Sequence, residues 1–293
     1  MGSEPSPGGS IAPTDPALER EYNLRIRHPE RGSVYARFAA ESAALRASAA
    51  GFESLRYGDS ANNVIDFFRA ATDTPAPIFV FIHGGYWRAL DRGIFSFLAR
   101  PWLARGVHVA LPGYDLAPAV SVRTIALQVE RAAACLLANA DRLRIDPGRI
   151  VVSGHSAGAQ LGALLLESLP PGAKAAGFVG VSGIYDLEPL LTTSVNHDVH
   201  LDEAEARALS PLRRRADTAP HYLCAVGGAE TDGFKRQSHA YASALRAQGC
   251  DAAAIEVTGR THFDVLDDLA APDSPLFKAA HAMLCTVNPG NPP

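Results

Sequence analysis

The chain has 293 residues, 47% of them hydrophobic and 20% charged, which supplies a sizeable core and rules out wholesale disorder. A formal charge of −4 argues against a nucleic-acid-binding surface, which wants a basic face. No apolar run approaches the roughly 18 residues of a membrane span. The stretch 1–16 is rich in Gly, Ser and Pro, lacks Lys and Arg, and has no apolar signal core, so it reads as a flexible tail on a cytoplasmic protein. From Ala17 to about Ala50 the sequence reads as a helical arm, broken near His28-Pro29 and stopped at Gly51. Asn62 to Phe68 reads as a strand. Pro77 to Ile82 is an unbroken β-branched and aromatic run, the pattern of a strand buried on both faces, and Val107 to Leu111 is another. Val122 to Leu143 has helical spacing until Asp146-Pro147-Gly148 interrupts it.

Arg149 to Ser153 then reads as a short strand running into Gly154-His155-Ser156-Ala157-Gly158, with an Ala/Leu-rich helix at 159–169. Ala175 to Val181, His221 to Val226 and Ala253 to Val257 are further strands. Asp202 to Leu209, Lys235 to Gln248 and Ser274 to Leu284 are helices. Strands alternating with helices imply a parallel sheet covered on both faces. The expected organisation is one domain over 17–286 and a flexible tail at 287–293. The irregular stretch 187–215 reads as a small or minimal lid over the end of the sheet. Cys135, Cys224, Cys250 and Cys285 form no C-x-x-C pair; Cys135 and Cys224 sit in apolar runs and read as buried thiols.

The strongest chemical signal is G-x-S-x-G at 154–158. The string alone is modest evidence; the strand before it and the helix after it supply the context it needs. A serine on a tight strand-to-helix turn points its hydroxyl out above the sheet, and the helix start behind it aims free amides at an oxyanion. Ser156 is therefore the candidate nucleophile. His83-Gly84-Gly85-Tyr86-Trp87 follows a buried strand, so the N–H groups of Gly84 and Gly85 can face a substrate, with the N–H of Ala157 as a third donor. A serine needs a base. Of ten histidines, His155 adjoins Ser156 on the turn and cannot easily face its hydroxyl. His28, His108, His239 and His281 lie in or beside regular elements. His262 sits just past the last strand, where sites collect in open sheets, and is the candidate base. The carboxylate that orients it comes from the loop after His221–Val226, which offers Glu230 and Asp232; position alone does not separate them. Asp264 and Asp267 follow His262 too closely for that role.

Together, H-G-G-Y-W at 83–87, G-H-S-A-G at 154–158, S-G-I-Y-D-L at 182–187, F-K-R-Q-S at 234–238 and T-H-F-D at 261–264 resemble the kynurenine formamidase (arylformamidase) branch of the α/β-hydrolases. The resemblance covers about Glu19 to Leu284. It implies an α/β-hydrolase fold, with Ser156 as nucleophile, His262 as base, and Gly84, Gly85 and Ala157 as oxyanion donors. Counting back four positions from Phe234, as the resemblance suggests, favours Glu230 as the acid, although family members commonly carry Asp there. It further implies release of a small acyl, formyl, group from an aryl amide, and Tyr86, Trp87, Tyr185 and Phe263 are candidates for an aromatic wall. The partner would be a small amide or ester; a homodimer is left open. No metal or organic cofactor is implied; the spacing of His197, Asp198 and His200 fits a polar segment better than a metal site. A carboxylesterase using the same machinery is the nearest rival reading, and a non-catalytic ligand-binding protein of this fold is a third.

Overall fold

The computed structural model describes residues 13–215 and 221–284. Cys285, most of the expected amino-terminal tail and the whole of 287–293 lie outside the described residues. Residues 13–16 do not belong to a tail: Asp15 accepts a hydrogen bond from the N–H of Ala17 at 2.7 Å and caps the first helix, with Pro16 at its first position.

The strands are β1 (Phe52–Arg56), β2 (Val64–Phe68), β3 (Ala76–Ile82), β4 (His108–Pro112), β5 (Ile145–His155), β6 (Ala175–Val181), β7 (His221–Gly227) and β8 (Asp251–Val257). Among the described residues they form one sheet in the order β1-β2-β4-β3-β5-β6-β7-β8. β2 pairs antiparallel with both β1 and β4, and the remaining neighbours run parallel. The amino-terminal arm is α1 (Pro16–Tyr22), α2 (Leu24–Arg27) and α3 (Arg31–Ser48), broken at His28–Glu30 as expected. After it come α4 (Ala99–Leu103), α5 (Val122–Ala138), α6 (Ala140–Leu143) and α7 (Ala157–Glu167). These are followed by α8 (Asn196–Val199), α9 (Glu203–Ala208), α10 (Asp232–Ala247), α11 (Leu266–Ala270) and α12 (Pro275–Ala282).

Two apolar layers sandwich the sheet, and β3 shows why. Its side chains alternate, as a strand's must. Ile78, Val80 and Ile82 join α5, α7 and α10 on one face, while Phe79 and Phe81 join α3, α4 and α12 on the other. This is the α/β fold with helices on both faces that the alternation implied.

Three features differ from the sequence reading. β1 had no clear signal because it is an edge strand with no fully buried residue, so FESLR carries little alternation. β5 starts at Ile145, not Arg149; it runs through Asp146-Pro147-Gly148 with register shifts, and Ile145 pairs with Ala76. Such an irregularity tolerates a proline at a sheet margin. The segment 187–215 packs Leu187, Leu190, Val195, Val199, Leu201, Ala206 and Leu209 into the core. Cys224 is buried, and burial pushes its thiol up to about 12, whereas Cys135 is only half-buried.

Trp102 of α4 is fully buried and stacks on Phe79 at 4.0 Å between ring centroids. Trp102→Ala is expected to destabilise the fold by about 3–5 kcal/mol in urea denaturation, because the cavity cannot collapse against a rigid strand. Trp102→Phe should cost clearly less, since the indole N–H it removes has no partner among the described residues.

Candidate active site

The site begins where β5 turns into α7. Ser156 sits at the turn with φ 56° and ψ −121°, a conformation non-glycine residues adopt only when the surroundings impose it. Its neighbours show what imposes it. A Cβ on Gly154 would lie 2.2 Å from the carbonyl oxygen of Gly158, and a Cβ on Gly158 would lie 2.1 Å from that of Ile82. The start of α7 therefore packs backbone to backbone on the end of β3. Ser156 N–H donates to Val181 O at 2.8 Å, which ties the turn to β6 as well.

His262 follows β8, and its Nδ1 is 2.7 Å from Glu230 Oε2. Both side chains are buried. The other oxygen, Oε1, accepts from Ser182 Oγ at 2.5 Å and from Gly227 N–H at 2.7 Å. An ionised carboxylate only accepts, so Nδ1 of His262 carries the proton and Nε2 keeps a free lone pair. Gly227 makes the meeting geometrically feasible: a Cβ there would lie 2.4 Å from Arg260 O, so the loops after β7 and β8 touch through bare backbone. Asp232, the alternate acid, is exposed at the start of α10.

His155 is a second buried imidazole, with its ring centroid 4.6 Å from that of His262. Its Nε2 lies 2.8 Å from the carbonyl oxygen of His262 and must be the donor. Burial, reinforced by the His262 ring, holds its pKa well below the ordinary value. His155 thus fixes the backbone that carries His262, and its Nδ1 is buried with no hydrogen-bond partner among the described residues. Phe234 and Phe263 flank the His262 ring at 4.5 and 5.4 Å.

Opposite Ser156 lies the Gly84-Gly85 pair. A Cβ on Gly84 would come 3.0 Å from Ser156 Cβ and 2.6 Å from His155 O. Gly85 (φ 111°), Tyr86 (φ 51°) and Trp87 (φ 56°) form a run of left-handed backbone, the kind of strain that collects at functional sites. His83, the first residue of the motif, and Tyr114, which the sequence reading did not single out, hold this run. Tyr114 donates its hydroxyl to His83 O at 2.7 Å, and His83 Nδ1–H donates to Gly84 O at 2.8 Å. In a trans peptide the N–H points opposite to the C=O. Pinning the carbonyls of 83 and 84 therefore fixes the directions of the Gly84 and Gly85 N–H groups. Ala157 opens α7, so its N–H has no acceptor within the helix.

Ser156, His155, His262, Gly85, Tyr86 and Phe263 line one crevice of about 230 Å³. That is small beside the roughly 300–1,000 Å³ of drug-sized pockets and suits one aryl ring with a small acyl group. Among the described residues, no hydrogen bond joins Ser156 Oγ to His262. Such contacts are often long in unliganded sites and tighten with substrate.

Two of the four aromatic candidates are elsewhere. Trp87 is fully buried, with its indole N–H donating to Gln160 Oε1 at 3.0 Å. Tyr185 is fully buried and stacks on Tyr241 at 4.1 Å. Both belong to the core, Trp87 because its indole reaches Gln160 and Tyr185 because it fits under Gly180 and Gly183.

The crevice wall the sequence did not reveal is the arm: Asn23, Leu24, Arg25, Arg31 and Tyr35, facing Arg88 and Leu90. The arm is held by Tyr86 Oη donating to Tyr22 O at 2.5 Å and by Thr231 Oγ1 donating to Glu21 O at 2.9 Å. Among the described residues, no lining group comes from 187–215, so that stretch supports the site from outside rather than covering it. Among the described residues no group of three or more His, Cys, Asp or Glu is placed to hold a metal, and no helix is long and apolar enough to cross a membrane.

A strained serine turn at the carboxyl ends of parallel strands, with a buried His–Glu pair on the neighbouring loops, defines a hydrolase of the α/β type. The family described as having the α/β hydrolase fold matches residues 79–265, and the chain belongs to it. It is similar to the kynurenine formamidases of Danio rerio (29% identity, over 78% of this chain and 80% of that one) and Drosophila melanogaster (30%, over 76% and 78%). Among solved structures it is similar to a proposed thioesterase from Silicibacter sp. TM1040. That likeness has 33% identity and a TM-score of 0.80, and covers 92% of this chain and 99% of that one.

The buried imidazoles give the site a pH signature. His83 is stacked on Tyr114 at 4.2 Å, and burial lowers its pKa from 6.5 to about 4. The unfolded chain then binds a proton that the folded chain refuses. Stability is intact above about pH 6.5, falls as the pH drops through that value, and levels off for this group near 4. The loss from His83 is roughly 3 kcal/mol. Urea denaturation at stepped pH should show this slope, and His83→Gln should reduce it while leaving the part contributed by His155.

Proposed function

We propose that the protein is a cytoplasmic serine hydrolase that releases a small acyl group, formyl above all, from an aryl amide, the activity for which the kynurenine formamidases above are named. The observation that carries the catalytic part is the buried Glu230–His262 hydrogen bond beside the crevice that Ser156 lines. In this reading His262 Nε2 takes the Ser156 proton as Oγ attacks the carbonyl carbon. The oxygen becomes an anion and is held by the N–H groups of Gly84, Gly85 and Ala157. The proton then passes from His262 to the leaving nitrogen, the C–N bond breaks, and water releases the acyl group by the reverse sequence. Glu230, not Asp232, keeps Nδ1 protonated and stabilises the imidazolium. The smallness of the crevice and its Tyr35, Tyr86 and Phe263 wall support a small acyl group on a single aromatic ring.

A carboxylesterase or thioesterase reading uses the same atoms, and the likeness to the Silicibacter protein favours it. Specificity lives in the pocket, so kinetics separate the two. We expect kcat/KM on N-formyl-L-kynurenine to exceed that on p-nitrophenyl acetate; a strong preference for the ester would demote the formamidase reading. Ser156→Ala should abolish turnover and labelling by a fluorophosphonate. Glu230→Gln should lower kcat by about ten-thousand-fold, while Asp232→Asn stays near wild type. The acid assignment is wrong if the loss falls on Asp232→Asn alone. No labelling of wild type, with Ser156→Ala equally unlabelled, would end the catalytic reading in favour of a ligand-binding protein.

A further inference from the structure

Glu230 holds the His262 ring by Nδ1, but one hydrogen bond leaves an imidazole free to swing about it. What aims Nε2 is the main chain that carries the ring. His155 fixes one side of that main chain through His262 O. The other side is fixed by a pattern of bonds that takes no part in proton transfer. Asp264 Oδ1 accepts from Thr261 N–H at 2.6 Å and from Thr261 Oγ1 at 2.7 Å. Thr261 Oγ1 in turn accepts from Phe263 N–H at 3.3 Å and from Asp264 N–H at 3.4 Å. Val265 N–H closes the turn on Thr261 O at 3.2 Å, and α11 follows.

A hydroxyl that receives the amide three residues on, and a side chain there that receives the first amide in return, form the reciprocal cap that opens helices. Here the first position the cap encloses is His262. The loop is confined from the opposite side as well, because a Cβ on Gly227 would lie 3.0 Å from Thr261 O. The charge of Asp264 has little to act on. Its Oδ2 lies 3.7 Å from Arg260 Nη1 in a partly exposed pair, and such pairs contribute little. The short bonds to Thr261 are what the side chain is placed to make.

We propose that Thr261 and Asp264 are positioning residues for the reaction: their reciprocal cap sets the main chain of His262 so that, with Nδ1 on Glu230, Nε2 is aimed at the Ser156 hydroxyl. This rests on the serine-hydrolase reading above and is indifferent to whether the substrate is an amide or an ester. Among the described residues, neither side chain lines the crevice, and neither takes the proton. Ser156 Oγ and His262 share no hydrogen bond among the described residues, so the pair closes only when substrate arrives. A base displaced by about 1 Å at that moment costs on the order of a hundredfold in rate. His262 serves both formation and hydrolysis of the acyl-enzyme, so a misplaced ring slows the two steps together and leaves KM nearly unmoved.

The test measures hydrolysis of p-nitrophenyl acetate and the second-order rate of Ser156 labelling by a fluorophosphonate, with thermal unfolding recorded for every variant. Asp264→Ala should lower kcat and the labelling rate by about a hundredfold while KM moves less than about twofold. Asp264→Asn keeps an oxygen that can accept from Thr261 and should return kcat to within about threefold of wild type. Thr261→Val should lose about tenfold in kcat and Thr261→Ser regain it, a pair that carries the test if Asp264→Ala does not fold. A cap that only stabilises the fold would lower the unfolding temperature of Asp264→Ala and leave kcat unchanged well below it, and that result overturns the proposal. Equal losses in Asp264→Asn and Asp264→Ala would overturn it too, since they would assign the effect to charge. A wild type that neither labels nor hydrolyses the ester would overturn the hydrolase reading and this inference with it. A reactive wild type matched by Asp264→Ala and Thr261→Val would end the positioning role alone.

Discussion

The site depends on backbone approaching backbone where a side chain would not fit. Gly158 lies on the carbonyl of Ile82, Gly154 on that of Gly158, Gly84 on that of His155, and Gly227 on that of Arg260. Each contact leaves less than 3 Å for a Cβ, so each is a steric condition and not a preference. The first two press α7 onto β3 and force Ser156 into its left-handed turn. The third brings the Gly84-Gly85 run against that turn. The fourth draws the loops after β7 and β8 together, so that a carboxylate on one meets an imidazole on the other. Flexible side chains then inherit their positions from main chain that has no freedom to relax, which is how preorganised electrostatics is built.

Charge inside this framework is rationed. Glu230 is buried and tolerable there because its oxygens accept from His262, Ser182 and Gly227. Two further imidazoles beside it, His83 and His155, are kept neutral by burial and spend their N–H groups on main-chain carbonyls. They act as rigid props: one orients the Gly84-Gly85 peptide, the other fixes the backbone of His262. Among the three, only His262 has a carboxylate within hydrogen-bond reach, Glu230 at 2.7 Å.

Much of the architecture was legible because it rests on local rules. The β3 run declared itself by being apolar throughout, the break at His28–Glu30 by its proline, and the serine turn by its glycines between a strand and a helix. The choice between Glu230 and Asp232 was not legible from position. One residue separates them, yet Glu230 is turned into the interior by the loop after β7 while Asp232 starts a helix in solvent. The edge strand β1 was silent because it buries nothing fully. Trp87 and Tyr185 misled because aromatic residues beside a motif look alike whether they face the crevice or the core. The direction is set by the bond from Trp87 to Gln160 and by the glycines at 180 and 183, which are tertiary facts. The arm's contribution to the wall was equally hidden, since it joins residues 23–35 to residues 85–90 across the fold.

That arm has a consequence for how such a protein diversifies. The strand ends hold the reacting groups under tight steric conditions, so most changes there are ruinous. The arm is packed into the core by Tyr22, Leu24 and Phe38 and tied by bonds from Glu21 to the start of α10 and from Tyr86 to the Tyr22 carbonyl, yet its other face supplies much of what a ligand would touch. Substitutions along one short helix-break-helix segment can therefore retune selectivity while the bond-breaking apparatus stays untouched. Descendants of a single ancestor could in this way come to act on unlike metabolites with one inherited mechanism.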